Sequence, residues 1–163
     1  MKFNTNKKPY TILIILVLTV TSVTAQIGNR FPSEKKIVTD PITGTQLTFL
    51  TSTPGGDSKI YQTHRQWTAD GKRLIFRSNR VPGETLAVNE KTGVIVQVSE
   101  GGYMGMLTLA QKSMKLYFMR MVLRQPGQTR GGPVQIVEVN LEKLFADSET
   151  GTLKKENEYQ KVC

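Results

Sequence analysis

Thr63–Arg80 reads THRQWTADGKRLIFRSNR, an apolar-ended run, a tight turn and a second apolar run. The turn is Ala69-Asp70-Gly71-Lys72, and the exit is Arg73-Leu74-Ile75-Phe76. An Asp-Gly pair between two apolar runs is the strongest short-range signal for a β-hairpin, because glycine adopts the left-handed backbone that the turn needs. The stretch also holds the only histidine, His64, and the only tryptophan, Trp67.

The flanking sequence is punctuated the same way. Upstream, the turn Asp40-Pro41-Ile42-Thr43-Gly44 separates Ile37-Val38-Thr39 from Thr45–Thr51, where Leu47 and Phe49 alternate onto one face. Ser52–Ser58 is a Gly/Pro-rich loop. Downstream, Thr85–Val88 runs into Asn89-Glu90-Lys91-Thr92-Gly93 and out along Val94–Val98. No amphipathic helix precedes Leu141, and short strands at regular turns indicate an all-β chain.

The hairpin recurs. Leu74-Ile75-Phe76 returns as Leu116-Tyr117-Phe118, a shift of 42 residues, with Arg73 on Lys115 and Trp67 on Leu109. The Asn89…Thr92-Gly93 turn returns as Asn140…Thr150-Gly151, stretched by an insertion at 141–147, and Asp40…Thr43-Gly44 is an earlier copy. A period near 42 with four short strands per unit is that of a β-propeller blade. The fold expected is an incomplete β-propeller of about two four-stranded blades, spanning about 59–99 and 103–158, plus one N-terminal outer strand. Two blades fall short of the roughly four to eight that close a ring, so the chain is expected to be the N-terminal portion of a longer protein. Met114–Met121 alternates as a strand and reads as core packing.

Ahead of the fold, Lys2, Lys7 and Lys8 precede the apolar run Ile12–Leu18 and the small-residue site Val23-Thr24-Ala25. That is the layout of a cleaved export signal over residues 1–25, with a polar lead at 26–36. It predicts a periplasmic or secreted protein with no membrane attachment after cleavage. Without those three lysines, 19 basic residues face 13 acidic ones, about +6. Outside the cytoplasm such a charge favours polyanions such as acidic polysaccharide over nucleic acid. Cys163 is the only cysteine, which excludes a disulfide framework and cysteine-pair zinc sites.

The signature Trp67-Thr-Ala-Asp-Gly-Lys-Arg-Leu-Ile-Phe76, followed by a strand and the Asn89–Gly93 turn, resembles the TolB-like propeller repeat. Three longer runs, Thr39–Gly44, Gly56–Trp67 and Gly101–Met106, resemble the N-terminal part of oligogalacturonate lyases, the polysaccharide lyase family 22 propellers. The resemblance covers about 37–151. It implies cleavage of galacturonate oligomers by β-elimination with a divalent metal, usually manganese, held by histidines and a glutamine of later blades. One histidine cannot build such a site, so no metal ligand carries over, and the chain alone is expected to be inactive.

In a propeller blade, the loops between blades and those between the second and third strands gather on one face. Here the first set is Pro54–Tyr61 and Glu100–Gly105, and the second is Arg77–Glu84 and Arg120–Pro133. They carry Lys59, Arg77, Arg80, Arg120, Arg124 and Arg130, with His64 and Arg65 on the expected inner strand, against only Asp57, Glu84 and Glu100. Arginine pairs bidentately with carboxylate, which suits a uronate. Lys59, Arg65, Arg77, Arg80, Arg120 and Arg124 are therefore the candidate substrate-binding residues for an acidic oligosaccharide. His64 is the candidate base, or a hydrogen-bonded strand residue beside Trp67. Trp67 reads as core, and Tyr103 is placed to stack on a sugar. Two other functions fit the same repeat: a non-catalytic TolB-like propeller binding proteins or glycans, and the propeller of a larger peptidase. The oligomeric state is left open by the sequence.

Overall fold

A computed structural model describes residues 26–122 and 132–163. The expected export signal, Arg124 and Arg130 lie outside them. The described chain is mostly sheet with one helix, and its sheets do not close on one another: it is an all-β, incomplete propeller.

The first blade is an antiparallel meander of β4 (Ser58–Lys59), β5 (Arg73–Arg77), β6 (Thr85–Asn89) and β7 (Ile95–Gln97). The second is β8 (Met104–Leu109), β9 (Lys115–Met121), β10 (Val134–Asn140) and β11 (Gln160–Val162). The helix α1 (Leu141–Thr150) sits between β10 and β11, where the sequence shows an insertion. The 42-residue repeat is physical. Trp67 bridges Leu74 as Leu109 pairs with Leu116, and Thr68 N–H donates to the Arg73 carbonyl as Ala110 N–H does to Lys115.

The three copied turns share one chemistry. Asp40 Oδ1 accepts from the amides of Ile42 and Thr43, and Asn89 Oδ1 accepts from those of Lys91 and Thr92. Gly44 and Gly93 then donate back to the Asp40 and Asn89 carbonyls. Such Asx turns are what Asp and Asn do at turn entries. Asn140 does the same for α1: its side chain accepts from Lys143 N–H and caps the helix, and Gly151 closes it at φ 72°. Asn140 N–H still reaches Tyr159 O, as Asn89 N–H reaches Val94 O, so α1 is lodged inside an otherwise conserved turn geometry.

The main core lies between the two sheets. Ile75, Ala87, Val96 and Val98 of the first meet Leu107, Leu116, Phe118, Val137 and Val139 of the second, sealed by Leu144 and Phe145 of α1. The opposite face of the first sheet, with Phe76, Leu86, Val88 and Ile95, is covered by Phe31 and Leu50. Among the described residues, the opposite face of the second sheet leaves Met106, Val134 and Ile136 exposed.

Three sequence expectations change. The inner strand of the first blade is broken: Lys59 pairs with Phe76 and Trp67 with Leu74, so the seven residues 60–66 face Ile75 alone and bulge out of the sheet. His64 and Arg65 therefore sit in that bulge and not on a strand. The polar lead also contains the outer strand. β1 (Arg30–Phe31) pairs with β7, while β2 (Lys36–Thr39) and β3 (Gln46–Phe49), the stretch expected to supply that strand, pair only with each other. Finally, the Met-rich run divides. Met114 packs on the core, but Met119 pairs with Ile136 and Met121 with Val134 on the open face.

Candidate functional site

The loop Ser99–Tyr103 connects the blades, and side chains from both of them hold it. From the first blade, buried Glu84 accepts from Ser99 Oγ at 2.7 Å and from Gly102 N–H at 2.8 Å. From the second, Gln160 Oε1 accepts from Glu100 N–H at 3.0 Å and its Nε2 donates to Glu100 O at 3.0 Å. Glu100 in turn accepts from Ile27 N–H at 2.9 Å. Burial pushes the Glu84 carboxyl up, opposed by the Ser99 and Gly102 hydrogen bonds. These partners lie 15 to 73 residues apart along the chain, and no local pattern announces them.

This latch fixes what stands beside it. Arg77, the last residue of β5, donates through Nη2 to Gly105 O at 3.2 Å, and its guanidinium lies 5.9 Å from the Tyr103 ring centre. The Arg77 Nε is buried and has no hydrogen-bond partner. Burial raises the Tyr103 hydroxyl pKa while the Arg77 charge pulls it down. From the other side, the 60–66 bulge brings His64 Nδ1 to 3.3 Å from Leu107 O, with the Tyr61 ring 4.9 Å away. A carbonyl only accepts, so the Nδ1 proton is the donor, and in the neutral ring Nε2 then carries the lone pair. Arg77 and His64 thus grip β8 at carbonyls two residues apart, on either side of an irregularity in the strand where Gly105 takes a φ of 72°.

The other candidates separate from this pair. Arg80 is not a free rim charge. It donates to both carboxylate oxygens of Glu34, to Asp57 and to Ser78 Oγ, and its side chain is 9% exposed. Arg120 is committed to Glu156 at 2.7 Å, with a longer contact of 3.4 Å to Glu100 O. Lys59 and Arg65 are exposed. The structure brings together Arg77, His64 and Tyr103, and neutralises Arg80 and Arg120 with carboxylates that sequence reading had not paired with them.

The chain is similar in fold to oligogalacturonate lyases. It matches an oligogalacturonate lyase in complex with manganese at 21% identity and a TM-score of 0.55, over 73% of this chain and 30% of that one. It matches the oligogalacturonate lyase of Vibrio parahaemolyticus at 20% identity and a TM-score of 0.56, over 72% of this chain and 29% of that one. The chain therefore spans about 30% of the length of these lyases. No protein-family model and no curated protein matches it.

Manganese finds no fitting donor set here. Among the described residues no three His, Cys, Asp or Glu side chains converge, and the Nδ1 of His64 is already hydrogen-bonded to backbone.

Proposed function

We propose that this chain forms the first two blades of an exported propeller that acts on pectic oligouronides by β-elimination. The observation that supports it is the fold likeness to two oligogalacturonate lyases, joined to Arg77 and His64 meeting at one strand. In that reaction a base removes the C5 proton of the uronate, the C4–O4 bond breaks, a C4=C5 double bond forms and the leaving oxygen is protonated. The C5 proton becomes acidic only once the C6 carboxylate charge is offset. Arg77, with a guanidinium held near Tyr103, supplies that charge. His64 Nε2 supplies a lone pair for accepting a sugar hydroxyl or a proton. No step through manganese follows from these residues, and any metal in this reading belongs to other blades.

A second reading has its own support. A non-catalytic propeller binding glycans or proteins fits the internal neutralisation of Arg80 and Arg120.

Trigalacturonate titrated into the full chain in a calorimeter tests the first reading, with the methyl-esterified trimer as the uncharged control. Binding is expected for the acid and not the ester, and Arg77→Ala is expected to weaken it about tenfold, the worth of one charge-assisted pair. Equal binding of acid and ester, or none of either, overturns the uronate reading. Ultraviolet absorbance of unsaturated uronate, followed with and without added manganese, separates lyase from binding protein.

A further inference from the structure

At the end of the blades opposite the Arg77–His64 pair, the turns Ala69–Lys72 and Asn89–Gly93 meet helix α1 across the gap between the sheets. A cleft of about 240 Å³ opens there. Its charged residues are Arg30 of β1, Arg73 of β5 and Glu149 of α1, two guanidinium groups against one carboxylate. Its floor is apolar: Val94, Val96 and the Phe145 ring.

The two arginines are held very differently. The Arg73 guanidinium lies over the Phe145 ring, 4.0 Å from its centre, and pairs with Glu149 at 2.5 Å and with Asp70 at 3.9 Å. Its side chain is only 10% exposed, so its direction is set by packing. Arg30 is exposed, and its guanidinium makes one long contact, 3.5 Å to Ser148 O. Its backbone is nevertheless fixed, because β1 pairs with β7 and Ser148 Oγ donates to the neighbouring Gly28 O at 2.7 Å. A cation is thus anchored at the rim of an apolar-floored cleft with nearly all of its donors uncommitted. Asn89 and Thr92 add an amide and a hydroxyl to the wall.

We propose that this cleft binds a small organic carboxylate with a flat apolar body. The body lies against Val94 and Val96 beside the Arg73–Phe145 stack, and the carboxylate takes the Arg30 fork. A carboxylate matches guanidinium geometry bidentately, and Arg30 is the arginine of the cleft with no carboxylate partner among the described residues, since Arg73 is paired with Glu149 and Asp70. Glu149 is the internal competitor: it already occupies Arg73, so it limits affinity. The site is independent of the uronate reading, since it shares no residue with it.

The test is titration of sodium benzoate into the ¹⁵N-labelled full chain, followed by amide shifts, with benzamide as the neutral isostere. Saturable shifts are expected at Thr92–Val96 and Phe145–Glu149 with benzoate alone. Arg30→Ala is expected to weaken binding about tenfold, the loss of one charge-assisted pair, and Glu149→Gln to tighten it. Arg30 is exposed, so an unchanged Tm for Arg30→Ala certifies that the fold is intact. The proposal is overturned if benzamide binds as well as benzoate, if Arg30→Ala changes nothing, or if the shifts fall elsewhere in the chain.

Discussion

Arg80 joins three segments that are distant in sequence. Its guanidinium bonds Glu34 from the lead, Asp57 from the loop before β4, and Ser78 beside it. The Arg80 hydrogen bonds hold the Glu34 carboxyl at about 2, with the Thr53 and Ser52 amides assisting against the effect of burial. Glu34 is thus depressed from its ordinary 4.5, so its contribution to stability is complete above that value and is lost as pH falls from about 4.5 toward about 2. Arg80→Ala leaves two carboxylates without their cation and is expected to cost about 3 kcal/mol, with that acid limb of the stability curve flattened. Urea melts at pH 3 and pH 7 check both. Glu84 has the opposite sign. Its raised pKa stabilises the fold in acid, and that contribution fades as pH rises through the folded-state value.

At the scale of single elements, the turns carry the clearest contrast. Gly71 and Gly93 both have φ near +70°, where a side chain is strained. A Cβ at Gly71 meets nothing, whereas one at Gly93 collides with Ser33 Oγ and approaches Lys35 Cβ to 2.7 Å. Gly71→Ala is therefore expected to cost about 1 kcal/mol, and Gly93→Ala distinctly more, because the lead must also move. Thermal melts of the two variants read this directly, and equal losses would show that the lead yields freely. These turns are also where the sequence was most legible. Asp40, Asp70 and Asn89 each bond amides two or three residues on, so their chemistry is entirely local. The broken inner strand was not legible, because Ile60–Gln66 carries no glycine or proline to mark a break. What expels them is the register set by β5, together with the Leu107 carbonyl 43 residues away from His64. The fate of Arg80 was hidden for the same reason: a loop arginine looks alike in sequence whether or not Glu34 reaches it. Only the cluster around Arg77 followed from counting loops, and even there Gly105 O and Tyr103 come from the next blade.

For the whole molecule, the asymmetry between blades matters most. The first sheet is covered on both faces; the second offers Met106, Val134 and Ile136 to solvent at 49%, 48% and 54% exposure, with Met119 and Met121 beside them. Contiguous apolar surface of this kind drives association. Ile136→Lys is expected to lower the mass-averaged size seen by light scattering at high concentration, with no loss of secondary structure. Unchanged association would transfer that role to the β2–β3 hairpin, whose Ile37, Leu47 and Phe49 are also exposed.

The strand β1 is the first part of the fold to be made and among the last to be secured. Its sheet partner Val96 follows 66 residues after Arg30, and the Ser148 hydroxyl that clamps Gly28 follows by 120. At synthesis rates of about 5–20 residues per second, the leading segment waits on the order of ten seconds for its clamp. During that interval Ile27, wholly buried in the finished molecule, has no pocket to enter. A nascent chain stalled before residue 141 would therefore hold β1 by its pairing with β7, without the Ser148 clamp on Gly28. Protease applied to such stalled chains should cut at 26–29, ahead of β1, faster than in the finished chain and spare β5–β7.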